Sequence, residues 1–272
     1  MNKILLLHRS FWTIALAVML IDGNLQPASV WAQANPSPDP TIEPLVFNSS
    51  PTDGFEDTGR PANQTSTGSR APGSCSSRLV ALVPGSEPLI NQTQDCSEPD
   101  SLLALTVDEL PTFWFYIPEL ETSAVSAEFV LVDNNQRPVY REQIALNGES
   151  GIVGVRPTQP LEVDRVHRWI FQIVLSGQPG QDPAVEGFVK RIQPDSTLTR
   201  QLAAATSPQE RVRVYANHGI WHEALTELAT LHLSSPNSAM QADWASLLES
   251  VGLGAIANFP LLNCCTSQPI SN

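Results

Sequence analysis

Two histidines four residues apart are the first feature of this chain that could do chemistry. His218 and His222 are followed by Glu223, and on one continuous helix a spacing of four places both imidazoles on the same face, where they can bind a metal ion. Gly219 lies between them and favours a turn between two helices instead. No third ligand is evident apart from the more distant His232. We therefore expect neither a metal site nor a cofactor here.

Acidic residues of the β-rich half are the other candidates for catalysis. Glu162, Asp164, Asp182 and Glu186 could include the paired carboxylates of a hydrolase. Their spacing fits a solvated acidic face equally well, and we favour that interpretation. The sequence has no Gly-x-Ser-x-Gly elbow, no phosphate-binding glycine loop and no His-Glu-x-x-His motif. We therefore predict no catalytic residues.

An aromatic run bounded by Pro111 and Pro118 is the most distinctive stretch of the chain. It is too short for a helix and wholly apolar, which is typical of a buried β-strand. The alternative is that some of its rings face outward and form a platform for a sugar. We predict that its rings lie in the core. They belong to Phe113, Trp114, Phe115 and Tyr116.

Short apolar segments separated by turn residues surround this run from Arg78 to Ile192. Seven or eight such segments without helical periodicity predict an immunoglobulin-like antiparallel β-sandwich over residues 75–194. Leu161 precedes His167 by six residues at the start of a strand, the layout of a tyrosine corner with histidine in place of tyrosine. Further predicted core residues are Leu161, His167, Trp169 and Phe171.

Beyond Pro208 the apolar residues follow helical spacing. The spacing of Tyr215, Gly219, Trp221 and the apolar residues after them resembles a tetratricopeptide repeat, and we predict a helical element over residues 207–258 with a loose tail at 259–272. One repeat and part of a second cannot stand alone, so these helices must pack on the sandwich or on a partner. The candidate interface residues are Trp221, Leu225, Leu228 and Trp244.

The N-terminal residues have the pattern of a targeting segment. A basic start, an apolar run that is too short to span a bilayer, and small residues before Ala32 predict a signal peptide over residues 1–32. A retained membrane anchor is the less favoured alternative. Residues 33–74 are rich in proline, serine and threonine and predict a disordered linker. We therefore expect a protein exported to the periplasm or the cell exterior.

The net charge narrows the class of partner. The formal net charge is -13, which disfavours nucleic acid and anionic lipid surfaces as partners.

The four cysteines raise the question of disulfide bonds, because outside the cytoplasm thiols tend to pair. Cys75 and Cys96 flank one predicted strand and could form a disulfide, and both the paired and the free state remain open. Cys264 and Cys265 are adjacent and cannot bond each other without strain.

Five blocks of this sequence together carry a family resemblance. They are Pro111–Pro118, Leu161–Val163, Trp169–Phe171, Val185–Arg191 and Gly219–Leu225. Together they resemble a known family, the domain of unknown function DUF928, which is found mainly in cyanobacteria. The resemblance extends from about Arg78 to Phe259 and implies an exported cyanobacterial protein, but no activity. The usual tyrosine of the family stands here as His167.

From the sequence alone we expect a non-enzymatic interaction or adaptor module of the cell envelope with a protein partner. The expectation combines a sandwich with free edges, helices too few to stand alone, and no recognisable catalytic set. The alternative is an envelope carbohydrate-binding protein or glycan-directed hydrolase that uses acidic and aromatic residues of the sandwich. A cleft with clustered acids and exposed rings would favour this alternative.

Overall fold

The structure is a computed structural model that describes residues 43–48, 79–84, 103–120, 124–175, 182–262 and 267–268. The predicted signal peptide and most of the predicted linker lie outside these residues. So do all four cysteines, including Cys75 and Cys96, whose pairing the sequence leaves open.

The described chain is mainly β, with two sheets followed by four helices, as predicted at that level. The strands are β1 (Val80–Ala81), β2 (Leu103–Thr106), β3 (Phe113–Ile117), β4 (Ala124–Val132), β5 (Pro138–Ala145), β6 (Gly151–Val155), β7 (Val166–Leu175), β8 (Ala184–Arg191) and β9 (Ser267–Gln268). The helices are α1 (Ser196–Ala204), α2 (Pro208–Asn217), α3 (Trp221–Ser234) and α4 (Ser238–Ser250).

The strands form one small and one large sheet. The small sheet has the order β1-β3-β6, and the large sheet has the order β2-β8-β7-β4-β5-β9. Every pairing between these strands is antiparallel except that of β2 with β8, which is parallel from Leu103 opposite Phe188 to Thr106 opposite Arg191. The expectation of a purely antiparallel sandwich is therefore wrong at β2. A parallel partner is possible because the long chain between the two strands supplies the crossover that parallel pairing requires.

The core lies where the rings of β3 meet those of the large sheet. Phe113 packs on Phe129 of β4 with ring centroids 4.9 Å apart, and Phe115 stacks on Phe171 of β7 at 4.0 Å. Trp169 also contacts Phe115, and all five rings are buried. The proline-bounded run thus joins the two sheets by aromatic packing, which adds to the stabilisation from burial.

Two indoles of the sheets lie against a glycine on the neighbouring strand. Gly187 is the cross-strand partner of Trp169, and a Cβ atom added at Gly187 would overlap the indole. Gly154 likewise lies opposite Trp114, and an added Cβ would come within 3.1 Å of that ring. The close approach of the ring therefore requires glycine at position 187, whereas a side chain at position 154 would need the ring to shift by a few tenths of an ångström.

The apolar faces of the helices are buried within the chain itself. The four residues predicted as a partner interface are at most 1% exposed. Because they already pack against this chain, the expectation of an interface at these residues gives way to an intramolecular role. The residues concerned are Trp221, Leu225, Leu228 and Trp244. Within the described ranges, no helix is long and apolar enough to cross a bilayer.

Three segments differ from the sequence-based expectations. Helix α1 lies between the predicted sandwich and helical element, and Asp195 caps it by accepting a hydrogen bond from the amide of Leu198. Leu45 and Phe47 fall in the segment expected to be a linker, yet both are buried. In the segment expected to be a tail, Phe259 packs on Tyr116 with ring centroids 4.4 Å apart.

Candidate functional site

A cleft of about 380 Å³ lies where the sheets meet the helices. We call it the helix–sheet cleft. The β2–β3 connection, the residue after β6, and the helices α2 and α3 form its walls. Its lining is mixed in charge and includes acidic, basic, aromatic and hydroxyl side chains. The lining residues are Val107, Asp108, Pro111, Thr112, Arg156, Arg211, Tyr215, His222, Glu223, Thr226 and Glu227.

Glu223 connects α3 to the end of β2. Its Oε1 accepts three hydrogen bonds, from Thr106 Oγ1 at 2.5 Å, Val107 N at 2.9 Å and Asp108 N at 2.8 Å. The two amides follow the last residue of β2, where the ladder no longer supplies acceptors. A carboxylate in the first turn of α3 is also favoured by the positive end of the helix dipole. Glu223 therefore fixes the position of the helix relative to the large sheet.

The second oxygen of this carboxyl group accepts no such hydrogen bonds. Glu223 Oε2 is buried and has no hydrogen-bond partner among the described residues. Burial raises the pKa of Glu223, although the hydrogen bonds from Thr106, Asp108 and Val107 lower it in part. The protonated, neutral form of the group is thus favoured over a wider pH range than for an exposed glutamate.

His222 is the second buried titratable group at this wall. Its Nδ1 lies 3.0 Å from the carbonyl oxygen of Thr112. Because a carbonyl only accepts, Nδ1 carries the proton in the neutral ring and Nε2 is left as an acceptor. Nε2 is buried without a partner among the described residues. Burial lowers the pKa of His222 to about 4, so the ring is neutral near pH 7.

Two ion pairs lie along the rest of the cleft. Arg211 of α2 binds Glu227 of α3, with Nη2 2.6 Å from Oε1, and its guanidinium lies 5.8 Å from the centre of the Tyr215 ring. Arg156 binds Asp108 at 3.2 Å, and both of those side chains are partly exposed. The cleft therefore presents opposite charges that are already held in place by one another.

The predicted aromatic core divides into two classes. Phe113, Phe115 and Tyr116 are at most 2% exposed, whereas Trp114 is only partly buried. The indole N–H of Trp114 donates to Thr226 Oγ1 at 3.0 Å, which links β3 to α3. The rings of β3 therefore form no open platform for a sugar.

The histidines considered for metal binding lie apart. Gly219 has a φ of 70° and separates α2 from α3, which is the turn that the sequence predicted. His218 Nε2 lies 2.7 Å from Gln201 Oε1, and His232 stacks on Trp244. Within the part of the chain that the structure describes, no group of three or more potential ligands is placed to hold a metal ion.

The four acids of the sandwich are also engaged separately. Glu186 binds Arg168 on the neighbouring strand, and Glu162 binds Arg165 at 2.8 Å. Asp182 accepts a hydrogen bond from the amide of Leu175 at 2.9 Å. The fourth acid, Asp164, adopts a positive φ of 58°, and its amide donates to the carbonyl of Arg191. These acids hold local structure and form no common site.

Leu161 and His167 lie beside a smaller cavity of about 210 Å³ near the start of β7. Leu161 is 1% and His167 is 7% exposed. Burial lowers the pKa of His167, and its Nδ1 has no hydrogen-bond partner among the described residues. Both residues line this cavity where the chain enters β7 of the large sheet.

The sequence pointed to only part of the residues of the helix–sheet cleft and its surroundings. It singled out His222 and Glu223, but for metal binding, and it missed Thr106, Arg156 and Arg211. The available signal was an acid next to Trp221 and Ala224, which the helical spacing predicts to be buried, because a charged residue at such a position requires polar partners. The identity of those partners depends on the pairing of α3 with the end of β2, which periodicity does not encode.

Comparison with known proteins gives a family but no activity. A comparison with curated proteins found no match. The family described as Domain of Unknown Function (DUF928) matches residues 65–261, which include all four helices and the whole helix–sheet cleft. Since this match covers most of the chain, the protein belongs to the DUF928 family.

Proposed function

We propose that this protein is an exported, non-enzymatic interaction module of the cell envelope, and that the helix–sheet cleft recognises a protein partner. The predicted signal peptide motivates export to the periplasm or the cell exterior, and the family resemblance motivates a cyanobacterial source. The observation that carries the proposal is the cleft itself. Its charged side chains bind one another or the backbone, which gives a pre-organised polar surface with alternating charge.

The strand order supports an immunoglobulin-like sandwich as the scaffold. In such domains the second and fifth principal strands share one sheet, while the third, sixth and seventh share the other. Here β3 pairs with β6, and β4, β7 and β8 are neighbours in the large sheet. The short β1, antiparallel to β3, takes the place of the first principal strand, and the parallel β2 at the edge of the large sheet is an addition to this common pattern.

The helices support a tetratricopeptide-like element. Helices α2 and α3 are joined by a short turn at Gly219, and α4 follows as the first helix of a second unit. Tyr215, Trp221 and Leu228 occupy the predicted inner positions and are buried. Because a single such unit cannot stand alone, its attachment to the sandwich through Glu223 agrees with a composite binding module.

Site-specific photocrosslinking tests the proposal. A photoreactive benzoylphenylalanine replaces Arg156, which is 57% exposed and lines the cleft. The matched control replaces Arg200, an exposed arginine of α1 that does not line the cleft. In intact cells we expect a defined crosslinked protein from position 156 that is absent from position 200. In envelope extracts, an excess of the protein without the photoreactive residue should compete for the partner and reduce this crosslink. Identical products from both positions, or none from position 156, would contradict the proposal.

The glycan-directed alternative retains one supporting observation. Asp108, Glu223 and Glu227 line the same cleft as the ring of Tyr215, and carboxylates beside an aromatic ring can bind or hydrolyse sugars. Binding and hydrolysis assays with cell-wall polysaccharides separate the two functions. If the wild-type protein binds or cleaves a glycan and Glu223→Gln abolishes this while Glu249→Gln on α4 does not, the alternative replaces the adaptor proposal.

A further inference from the structure

An extended N-terminal segment lies against the helices. We call Glu43–Asn48 the N-terminal strap. Leu45 is 3% and Phe47 is 8% exposed, whereas Val46 between them is 47% exposed. This alternation is what an extended chain gives when one face is buried. The strap therefore buries two apolar side chains and leaves the intervening one in solvent.

The start of α3 forms the apolar surface on which Phe47 of the strap packs. The ring of Phe47 meets the indole of Trp221 edge to face, with ring centroids 4.9 Å apart and an interplanar angle of 81°. Edge-to-face pairs of this kind add stabilisation beyond the buried area. Trp221 is itself fixed, because its indole N–H donates to the carbonyl of Leu82 at 2.8 Å.

Polar bonds to two helix ends fix the register of the strap. Asn48 N donates to the carbonyl of Ala216, in the last turn of α2, at 3.0 Å. Phe47 N donates to Ser250 Oγ, the last residue of α4, at 3.0 Å. The last carbonyls of a helix lack partners within the helix, so an extended chain can supply donors to them. Two of the contacts of the strap therefore use backbone donors that any extended peptide carries.

Side chains add sequence preference to these bonds. Asn48 Nδ2 donates to Asn217 Oδ1 at 3.2 Å, and Arg213 Nη1 donates to the carbonyl of Glu43 at 3.1 Å. Arg213 also binds Asp243 of α4 at 3.3 Å, so one guanidinium spans α2, α4 and the strap. The pattern read by the groove is therefore Leu-x-Phe-Asn in an extended conformation.

The strap lies before the matched family region of residues 65–261, whereas the groove that receives it lies within that region. We infer that the groove between α2, α4 and the start of α3 is a peptide-recognition site, filled here in cis by the strap. A partner segment with the Leu-x-Phe-Asn pattern takes the same place. This deepens the proposed interaction function at a second surface, since the groove and the helix–sheet cleft use different residues of α2.

Peptide binding to the full-length protein tests this inference. The probe is a fluorescent peptide with the sequence of residues 41–50, and the variant is the Leu45→Ala, Phe47→Ala double mutant. If the strap fills the groove in about nine molecules of ten or more, it raises the apparent Kd for the probe about tenfold or more. We therefore expect fluorescence anisotropy to show at least about tenfold tighter binding to the variant than to the wild type.

Matched peptides establish which side chains matter. Replacing the exposed Val46 by serine in the probe should leave binding to the double mutant unchanged. Replacing Phe47 by serine should abolish binding, because the contact with Trp221 is lost. A folded double mutant that does not bind the probe overturns the inference. Equal affinity for the Val46→Ser and Phe47→Ser peptides overturns it as well.

A second variant covers the case in which the double mutant fails to fold. A specific protease site is inserted between residues 49 and 64 of the otherwise wild-type chain, so that the strap becomes a separate peptide after cleavage. Exchange of the cleaved strap for the fluorescent probe supports a recognition site, and retention without exchange overturns it. If size-exclusion chromatography shows a stable complex of the double mutant with the wild type, the segment that fills the groove comes from a second copy of this chain. These readouts are independent of crosslinking from position 156.

Discussion

The interior between the two sheets and the junction between sheets and helices are held together by different chemistry. In the interior, rings of β3 meet rings of β4 and β7, and the contacts are wholly apolar. At the junction, polar groups of α3 side chains bind backbone groups at the ends of strands. Glu223 binds the amides after β2, and Trp221 binds a carbonyl next to β1.

This difference has a general consequence for sequence change. Apolar packing scales with buried area and volume, so a core position accepts side chains of similar size. A buried polar group stabilises the fold only while its partners remain in place, and an orphaned partner is costly. Substitutions in the interior should therefore scale with lost volume, whereas those at the junction should depend on the identity of single atoms.

Trp169→Ala should give the largest effect. The side chain is completely buried, and truncation of a core tryptophan leaves a cavity that costs about 3–5 kcal/mol in the free energy of unfolding. Urea denaturation followed by circular dichroism measures the change. The Val139→Ala control, at a side chain that is 40% exposed, should change stability by less than about 0.5 kcal/mol. A Trp169→Ala protein as stable as this control would contradict the assigned core.

Glu223→Ala should be the next largest. It leaves the Thr106 hydroxyl and the amides of Val107 and Asp108 without their acceptor, and we expect a loss of about 2–3 kcal/mol. Glu223→Gln keeps an oxygen at the same place and should cost less than about 1 kcal/mol. Equal losses for the two variants would mean that the hydrogen bonds from β2 contribute nothing specific.

The pH dependence of stability should reveal His222. Since burial lowers its pKa from 6.5 to about 4 in the folded protein, its contribution is complete above pH 6.5 and is lost as the pH falls towards 4. The expected loss is at most about 3 kcal/mol. His222→Asn keeps a donor for the Thr112 carbonyl and does not titrate, so urea midpoints of this variant should fall less between pH 7 and pH 4. Parallel curves for the two proteins would contradict this assignment.

Glu223 should contribute to the pH dependence with the opposite sign. Its folded-state pKa is raised by burial, so its contribution is complete below its unfolded pKa and is lost as the pH rises through the folded value. Glu223→Gln removes this dependence. Comparing the wild type with Glu223→Gln above pH 4.5 should therefore show the wild type losing stability relative to the variant. A constant difference between the two would indicate an unshifted carboxyl group.

The smallest effects distinguish a partly buried polar link from an exposed one. Thr226→Val removes the acceptor of the Trp114 indole and should cost about 1 kcal/mol. Arg165→Ala breaks an ion pair with Glu162 whose two side chains are 60% and 65% exposed, and it should cost less than about 0.5 kcal/mol. Thermal unfolding of both variants measures the two losses. A larger loss for Arg165→Ala would reverse the ranking of the two links.

The sequence predicted the interior far better than the junction. Alternation in Trp169, Phe171 and Ile173 identifies the buried face of β7, because side chains of a strand alternate between its two sides. The parallel pairing of β2 was missed because strand patterns do not encode which distant strand becomes the neighbour. The burial of Leu45 was missed for a similar reason, since one apolar pair in a proline-rich segment carries no periodicity.

Amide hydrogen exchange in the native state tests most directly whether the junction makes the two sheets and the helices one cooperative unit. The amides of Val107 and Asp108, which donate to Glu223, can be compared with that of Phe171 in the interior. We predict that all three exchange with the free energy of global unfolding. If the first two exchange through a separate opening of much lower free energy, the helices are a loosely attached appendage and the junction does not fasten them.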